Sequence, residues 1–353
     1  MNSIEKILKK NIKNFGSISL KDFLNIVLYH DQYGYYANNN IIGKKGDFIT
    51  SPEISQVFGE IVSNPLLLNY TNYSKNKKLS LIELGPGRGY LTKDVLRTFK
   101  NLNEELYNKI KKVYFLERSS LFFKELEAVF NQVLITNDPG KIPDNFNILL
   151  ANEFFDALPV SQYIFKKKQW HEVLITLNSK DDFIFCLSKK SLINNYFFPV
   201  NPPEGFIFEY SEYMINLLSI ICKKISLYGG IFIIVDYAKN NNDLGSSLAA
   251  LKNHKKVDFF YDLGNCDISH KPSFELIKKV CLNYNCNSVG PFSQSKFLQS
   301  YGINERISIL VKNNPRLKEE LFSQRNRLIG EKFMGNLFKI LIITDKNNNY
   351  RFI

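Results

Sequence analysis

From residue 79 onward, short apolar runs alternate along the chain with amphipathic stretches. The runs that have the length and composition of buried strands are LSLIEL (79–84), KVYFLE (112–117), QVLIT (132–136), FNILLAN (146–152) and IFIIVDY (231–237). Between them, residues 90–100 and 120–130 carry apolar side chains at the three- and four-residue spacing of a helix. Strands that alternate with helices are typical of βαβ units. The pattern therefore predicts an α/β fold with a parallel sheet covered by helices on both faces.

The segments outside this alternation predict additions to the core. Helical periodicity marks residues 3–15, 19–30, 56–73, 208–230 and 273–284. Polar turns split strand-like runs over residues 160–200, which predicts an antiparallel β insertion, and the chain closes with a strand over residues 336–346. We divide the chain into N-terminal helices with a loop, a first core half, a β-rich insertion and a second core half, at residues 1–65, 66–159, 160–205 and 206–353.

Composition and charge are those of an ordinary globular protein with a basic surplus. Of the 353 residues, 44% are hydrophobic and 23% charged, and the net charge is +12. Lysine supplies most of this charge, since only 8 arginines are present, and the lysines are scattered and do not form one stripe. A nucleic-acid partner is therefore not expected.

Targeting and metal signals are weak. The first residues show no long apolar region and no cleavage site, and no segment reaches the length of a membrane span. Five cysteines suggest free thiols in a reducing compartment, which predicts a cytoplasmic location. Cys266, His270, Cys281 and Cys286 lack the paired spacing of a zinc site, so we predict no metal.

The most informative motif follows the first strand of the alternation, where the spacing is Glu83-x-Gly85-x-Gly87-x-Gly89. It departs from the dinucleotide fingerprint because Tyr90 stands where the third glycine belongs, and no Gly-Lys-Ser/Thr follows to grip phosphate. An acid just before the turn would repel a pyrophosphate but suits a cationic amino-acid head group. S-adenosylmethionine carries an ammonium and a sulfonium, so the motif predicts this cofactor.

Further polar residues follow the other strands, where an open parallel sheet binds its ligands. Glu117 ends the second strand and is expected at the ribose hydroxyls, and Asp138 follows the third and is expected near the adenine amino group. Each, taken singly, is equally well explained as a surface carboxylate or a strand-end cap.

The fourth strand leads into a second polar group, Asn152, Glu153 and Asp156, of which Asn152 is expected to bind the cofactor. Carboxylates at this exit would face the transferable methyl group. Paired carboxylates match the donors of a guanidinium and hold its charge. The plainer interpretation is a helix start capped by Asn152 or Asp156.

The chain also resembles the MidA-like family, whose mitochondrial members resemble arginine methyltransferases that assist respiratory complex I assembly. The segments that carry this resemblance are GYY (34–36), GDFITSPEISQVFGE (46–60), ELGPGRG (83–89), NEFFDALPV (152–160), DY (236–237), GPFSQSKFLQSYGI (290–303) and MGNLFKIL (334–341). It implies a class I methyltransferase fold, Rossmann-like, with added N-terminal helices and an insertion. It also implies that the loop with Gly46, Ser51 and Glu53 folds over the cofactor, and that Asp236 joins the acceptor side.

Three departures from the family pattern lie outside the cofactor motif. Ala238 follows Asp236 and Tyr237 where the family has glycine, and Ser273 replaces an acid in DISHKPSF (267–274). Lys252 and His254 stand where the family commonly carries an arginine before the histidine. These changes leave cofactor binding intact and put the acceptor in question.

The predicted function is an S-adenosylmethionine-dependent methyltransferase that acts on arginine of a partner protein, with a respiratory complex I subunit as the candidate partner. One alternative is a methyltransferase of a small molecule or of RNA, although an acidic cleft disfavours phosphate-rich acceptors. Another is an assembly factor that keeps the fold without turnover. The sequence leaves the oligomeric state open, a homodimer included.

Overall fold

The computed structural model describes residues 2–37, 49–73, 75, 78–130, 132–192, 196–239 and 243–352. Its helices are α1 (Ser3–Phe15), α2 (Leu20–Tyr29), α3 (Ser51–Ile54), α4 (Gln56–Leu68), α5 (Tyr70–Tyr73), α6 (Tyr90–Leu102), α7 (Glu104–Lys109), α8 (Phe123–Val129), α9 (Glu212–Tyr228), α10 (Phe274–Asn283), α11 (Gln294–Ser300), α12 (Ile303–Asn313), α13 (Lys318–Ile329) and α14 (Met334–Leu337). Its strands are β1 (Ile18–Ser19), β2 (Leu79–Leu84), β3 (Ile110–Leu116), β4 (Val133–Thr136), β5 (Phe146–Asn152), β6 (Ser161–Lys166), β7 (Gln169–Leu177), β8 (Phe183–Leu192), β9 (Ile207–Tyr210), β10 (Gly230–Tyr237), β11 (Ala249–Lys252), β12 (Lys255–Val257), β13 (Asp267–Ser269), β14 (Asn287–Ser293) and β15 (Phe338–Thr344).

The chain forms two compact units, each assembled from three separate stretches. The first unit contains residues 1–48, 155–216 and 239–276, and the second contains residues 49–154, 217–238 and 277–353.

The second unit is built on a seven-stranded sheet in the order β14-β15-β10-β5-β2-β3-β4. The strands from β10 to β4 run parallel, as the alternating pattern predicts, whereas β15 pairs antiparallel with both β10 and β14. Helix α6 turns Leu91, Val95 and Phe99 inward, at a spacing of four residues, into the core around β2 and β5. The α/β class I methyltransferase architecture is confirmed for this unit.

The first unit combines the N-terminal helices with antiparallel strands. Ser19 caps α2 by accepting a hydrogen bond from the Asp22 N–H at 3.0 Å, as expected for its serine start. One sheet has the order β1-β7-β6-β9, with β8 also on β7, and a second has the order β12-β11-β13. The antiparallel insertion is therefore confirmed.

Two parts of the sequence-based assignment were wrong or incomplete. Residues 208–210 were predicted as the start of a helix, but they belong to strand β9, in which Phe208 pairs with Tyr163 on β6. The short strands β11 to β13 and strand β14 were not predicted. Strands β9, β13 and β14 are held by pairing with segments farther away in the chain, which overrides a weak local preference, whereas β11 and β12 form a local hairpin.

Candidate active site

The candidate site lies in the second unit, where the parallel strands β2, β3, β5 and β10 end. Leu84 is in register with Leu116 and with Ala151, and Val235 is in register with Asn152. The polar and glycine residues that end or follow these strands therefore lie along one edge of the sheet: Glu83, Gly85, Glu117, Asn152, Glu153 and Asp236.

The glycine turn after β2 has a backbone that favours glycine. Gly85, Gly87 and Gly89 have φ angles of +62°, +52° and +74°. A Cβ atom on Gly85 would lie 2.7 Å from Cδ2 of Phe154, so an alanine there would also collide with the ring. The turn thus brings bare backbone to the edge of the sheet, which allows a ligand to approach closely.

Glu83 is almost fully buried at the end of β2, with 2% of its surface exposed. Its Oε2 accepts hydrogen bonds from the Thr92 hydroxyl at 2.6 Å and from the Thr92 N–H at 3.2 Å. Burial raises its pKa to about 8, the two Thr92 donors oppose this rise, and the nearby Glu117 adds to it. A carboxylate whose ionisation is this unfavourable would be stabilised by a bound cation.

Glu117 stands one residue beyond β3. Its Oε1 accepts a hydrogen bond from the Ser119 N–H at 2.7 Å. Burial raises its pKa, while backbone donors of Ser119 and Arg118 oppose the rise. The structure thus brings Glu83 and Glu117 close enough to influence each other, as the predicted cofactor side requires.

Asn152 and Glu153 form the end of β5, and Glu153 has an unusual backbone conformation. Its φ angle is +53°, in the left-handed region that a residue with a Cβ rarely adopts, and its N–H donates to the Val235 carbonyl at 2.8 Å. Its Oε1 accepts from the Asn152 amide at 3.1 Å and from the Ser51 N–H at 3.3 Å. Within the described part of the chain, Asn152 Oδ1 is buried and accepts no hydrogen bond.

Sequence reasoning missed the two residues that hold Ser51. The Ser51 hydroxyl donates to Gln294 Oε1 at 3.3 Å and lies 3.8 Å from Met334 Sδ. Gln294 is fully buried, and its amide donates to the Leu328 carbonyl at 2.9 Å. Both residues lie in segments that carry the family resemblance, so that signal could have identified them.

Two predicted cofactor residues make local capping contacts, and a third lies outside the described residues. Asp138 is exposed, and its Oδ1 accepts from the Gly140 N–H at 2.8 Å, which caps the short 3-10 helix of residues 139–141. Glu53 Oε2 accepts from the Thr50 N–H at 3.5 Å, in the capping box with which Thr50 begins α3. Gly46 lies outside the described residues.

The two remaining acceptor candidates are both buried. Asp236 ends β10 in the second unit, is 0% exposed, and accepts from the Tyr237 N–H at 2.8 Å. Asp156 belongs to the first unit, is 8% exposed, and its carbonyl accepts from the His270 N–H at 3.0 Å.

Within the first unit, Asp156 lies near a tyrosine. Burial raises the pKa of the Tyr36 hydroxyl well above its ordinary value, and the charges of Asp267 and Asp156 raise it further. The neighbouring Tyr29 hydroxyl donates to the Ala157 carbonyl at 2.9 Å, which fixes the turn that carries Asp156. The first unit therefore brings two carboxylates to one phenol.

The described residues contain neither a metal-binding group nor a membrane-spanning helix. Among them, no three His, Cys, Asp or Glu side chains are grouped so that they could bind a metal ion. None of the described helices combines the length and the apolar character needed to cross a membrane.

Comparison with curated proteins finds relatives along most of the chain. The protein arginine methyltransferase NDUFAF7 of mitochondria from Xenopus laevis is 29% identical over 361 residues, which covers 94% of this chain and 82% of that protein. The human protein of the same name is 27% identical, covering 95% of this chain and 82% of its own length.

Comparisons with solved structures and with family models also find methyltransferases. A crystal structure from Burkholderia thailandensis, bound to S-adenosyl-homocysteine, has a TM-score of 0.82 at 20% identity and covers 98% of this chain and 93% of that one, which shows the shared fold. A family model described as "Putative S-adenosyl-L-methionine-dependent methyltransferase" matches residues 61–292. Because this match spans more than half of the chain, the protein belongs to this family of S-adenosylmethionine-dependent methyltransferases.

Proposed function

We propose that this S-adenosylmethionine-dependent methyltransferase acts on arginine of a partner protein. The observation that carries the proposal is Glu153, which keeps a left-handed backbone while Ser51 and Asn152 orient its carboxylate. Such a conformation costs on the order of 1–3 kcal/mol and persists where the surroundings enforce it, often at functional sites. The arginine methyltransferases among the relatives support the same acceptor.

The residues at the strand ends fit the cofactor. The glycine turn presents backbone without Cβ atoms at the edge of the sheet, and Asn152 Oδ1 is a buried acceptor that a ligand N–H or O–H could satisfy. The carboxyl group of Glu83, whose ionisation burial disfavours, suits the ammonium group, and Glu117 suits the ribose hydroxyls. When bound, S-adenosylmethionine supplies an electrophilic methyl carbon. The chain then has to hold the acceptor in line and exclude water.

We assign acceptor binding to Glu153 and Asp236 in the second unit, and the acceptor role of Asp156, which belongs to the first unit, stays a prediction from the sequence. A guanidinium nitrogen becomes nucleophilic as it loses a proton, and a carboxylate that holds the group can also accept that proton. The family resemblance extends the proposal to a respiratory complex I subunit as the partner. Cytoplasmic location stays a prediction from the sequence, while the relatives carry mitochondrial names.

An assembly factor without turnover is the second candidate, and one contact weighs against the argument for it. Ser273, which replaces the family's acid, accepts a hydrogen bond from the Leu276 N–H at 3.3 Å, in the N-cap position of α10. Serine and aspartate cap helices about equally well, so this replacement is compatible with unchanged local structure. It therefore does not require a lost activity.

The test measures arginine methylation by mass spectrometry in cells with and without this protein, and then in purified variants. Glu153→Gln keeps the shape and removes the charge, which costs about 1.5–3 kcal/mol for a charge-assisted pair. We expect methylation to fall by about tenfold to a hundredfold while cofactor affinity stays near wild type. We expect Asp156→Asn to act in the same direction but less strongly.

The outcomes separate the candidates. Full methylation in Glu153→Gln would remove this residue from the acceptor site, and an equal loss of cofactor affinity would move it to the cofactor side. Intact cofactor binding without any methylated product in wild-type protein would support the assembly factor.

A further inference from the structure

The second unit contains an open cavity of about 300 Å³, and Glu53 is the one residue of its lining that the sequence analysis assigns a role. Its wall is formed on one side by the residues of α3 and the start of α4. On the other side it is formed by the end of α12, the turn that follows and the first half of α13. This volume is at the lower end of the range for ligand pockets and is large enough for one or two side chains.

The charge of this cavity is opposite to that of the chain as a whole. Among the described residues that line it, the ionisable ones are Glu53 and Glu320. Glu320 Oε1 accepts from the Gln324 amide at 3.1 Å, which holds its carboxylate beside the cavity. The chain as a whole has a net charge of +12, so a cavity whose ionisable lining residues are both acidic differs from it in sign.

The rest of the lining is largely apolar. Ile54, Leu310, Leu317 and Leu321 contribute aliphatic side chains, and Leu317 is 41% exposed. Arginine and lysine lay their aliphatic stems along such surfaces while their charged ends meet carboxylates. The combination therefore suits a basic side chain with an apolar neighbour.

The cavity is coupled through the chain to the candidate active site. Glu53 and Ser51 belong to the same single turn of helix, α3. The Ser51 N–H binds the carboxylate of Glu153, and Glu53, two residues later, is part of the cavity lining. A segment bound in the cavity would thus contact the helix that orients Glu153.

We propose that this cavity docks a basic segment of the protein substrate that carries arginine or lysine next to a leucine or isoleucine, apart from the arginine that receives the methyl group. The proposal rests on the proposed function, because it assumes a protein acceptor. Arg316 and Lys318 flank Leu317 in the chain but do not line the cavity, which makes an acidic segment the competing occupant.

The test measures binding of fluorescent synthetic peptides to the full chain by anisotropy. The probe is a twelve-residue Gly-Ser peptide with two Arg-Leu pairs, and its comparison peptides replace the arginines by glutamate or the leucines by glycine. The main variant is Glu320→Arg, and its matched control is Glu319→Arg, because Glu319 is exposed on the same helix but does not line the cavity. We expect Glu320→Arg to weaken binding of the Arg-Leu peptide about tenfold and Glu319→Arg less than twofold.

Several results would overturn the docking site. These are a wild-type protein that does not bind the Arg-Leu peptide, equal affinities in the two charge reversals, or tighter binding of the acidic peptide. Glu320→Gln is measured beside the reversal, with urea unfolding of each variant, so that a folding defect is not mistaken for lost binding.

Methylation and cofactor affinity are measured in parallel in the same variants. Peptide binding that depends on Glu320, without arginine methylation by the wild type, would keep the docking site and refute the proposed function. Arginine methylation together with equal peptide affinities in Glu319→Arg and Glu320→Arg would support the proposed function and refute the docking site.

Discussion

Glu83→Gln tests whether the buried carboxyl beneath the glycine turn is as unfavourable to ionise as its environment indicates. Its pKa is raised by burial from 4.5 to about 8. The folded protein therefore keeps a proton that the unfolded chain releases, so stability falls as the pH rises from about 4.5 to about 8 and levels off above. At about 1.4 kcal/mol per tenfold change in proton affinity, the full effect is about 4–5 kcal/mol.

The assay is urea unfolding without cofactor at several pH values between 5.5 and 9. The linkage relation predicts that the free energy of unfolding of the wild type falls by about 3 kcal/mol between pH 5.5 and 8. The amide that Glu83→Gln introduces cannot ionise, so the variant should gain stability relative to wild type by about that amount over the same range. Asp94, with its pKa raised by burial to about 6, also titrates in this range. Its contribution cancels in the difference between the two proteins, because both carry it.

The control is Glu125→Gln, an exposed position on α8, which should follow the wild-type curve at every pH. A difference between wild type and Glu83→Gln that stays constant from pH 5.5 to 9 would refute the reasoning. In that case the carboxyl would already be ionised in the folded protein, and a cation would gain little by approaching it.

Two further predictions concern the residues around this site. Gly85→Ala should lower the affinity for S-adenosyl-homocysteine, measured by calorimetry, at least tenfold, because the φ of Gly85 is +62° and the new Cβ would lie 2.7 Å from Phe154 Cδ2. The control is Gly245→Ala, where a Cβ meets nothing within 4 Å, and equal affinities in the two variants would contradict the prediction. Gln294→Leu should lower the free energy of unfolding by about 1–3 kcal/mol and reduce methylation, because it removes the hydrogen bonds of Gln294 to the Ser51 hydroxyl and to the Leu328 carbonyl. Unchanged urea unfolding would show that these hydrogen bonds contribute little.

The sequence by itself determined the parts of this protein that depend on local pattern. Buried strands such as β5 and β10 need uninterrupted apolar residues, and α6 needs apolar residues on one face. The order of residues along the chain is therefore enough to predict these elements. The turn that carries Gly85, Gly87 and Gly89 is likewise local, because left-handed backbone angles favour glycine. The motif around these glycines predicted the cofactor, and the family resemblance then added arginine of a partner protein as the acceptor.

Tertiary structure decided what depends on residues that are far apart in the chain. Strand β9 exists because it pairs with β6, although its own sequence reads as the start of a helix. Ser51 meets Glu153 across 102 residues and Gln294 across 243, distances over which sequence spacing carries no geometric information. The raised pKa of Glu83 has the same origin, since burial by the folded chain, and not the identity of the residue, makes its charge unfavourable.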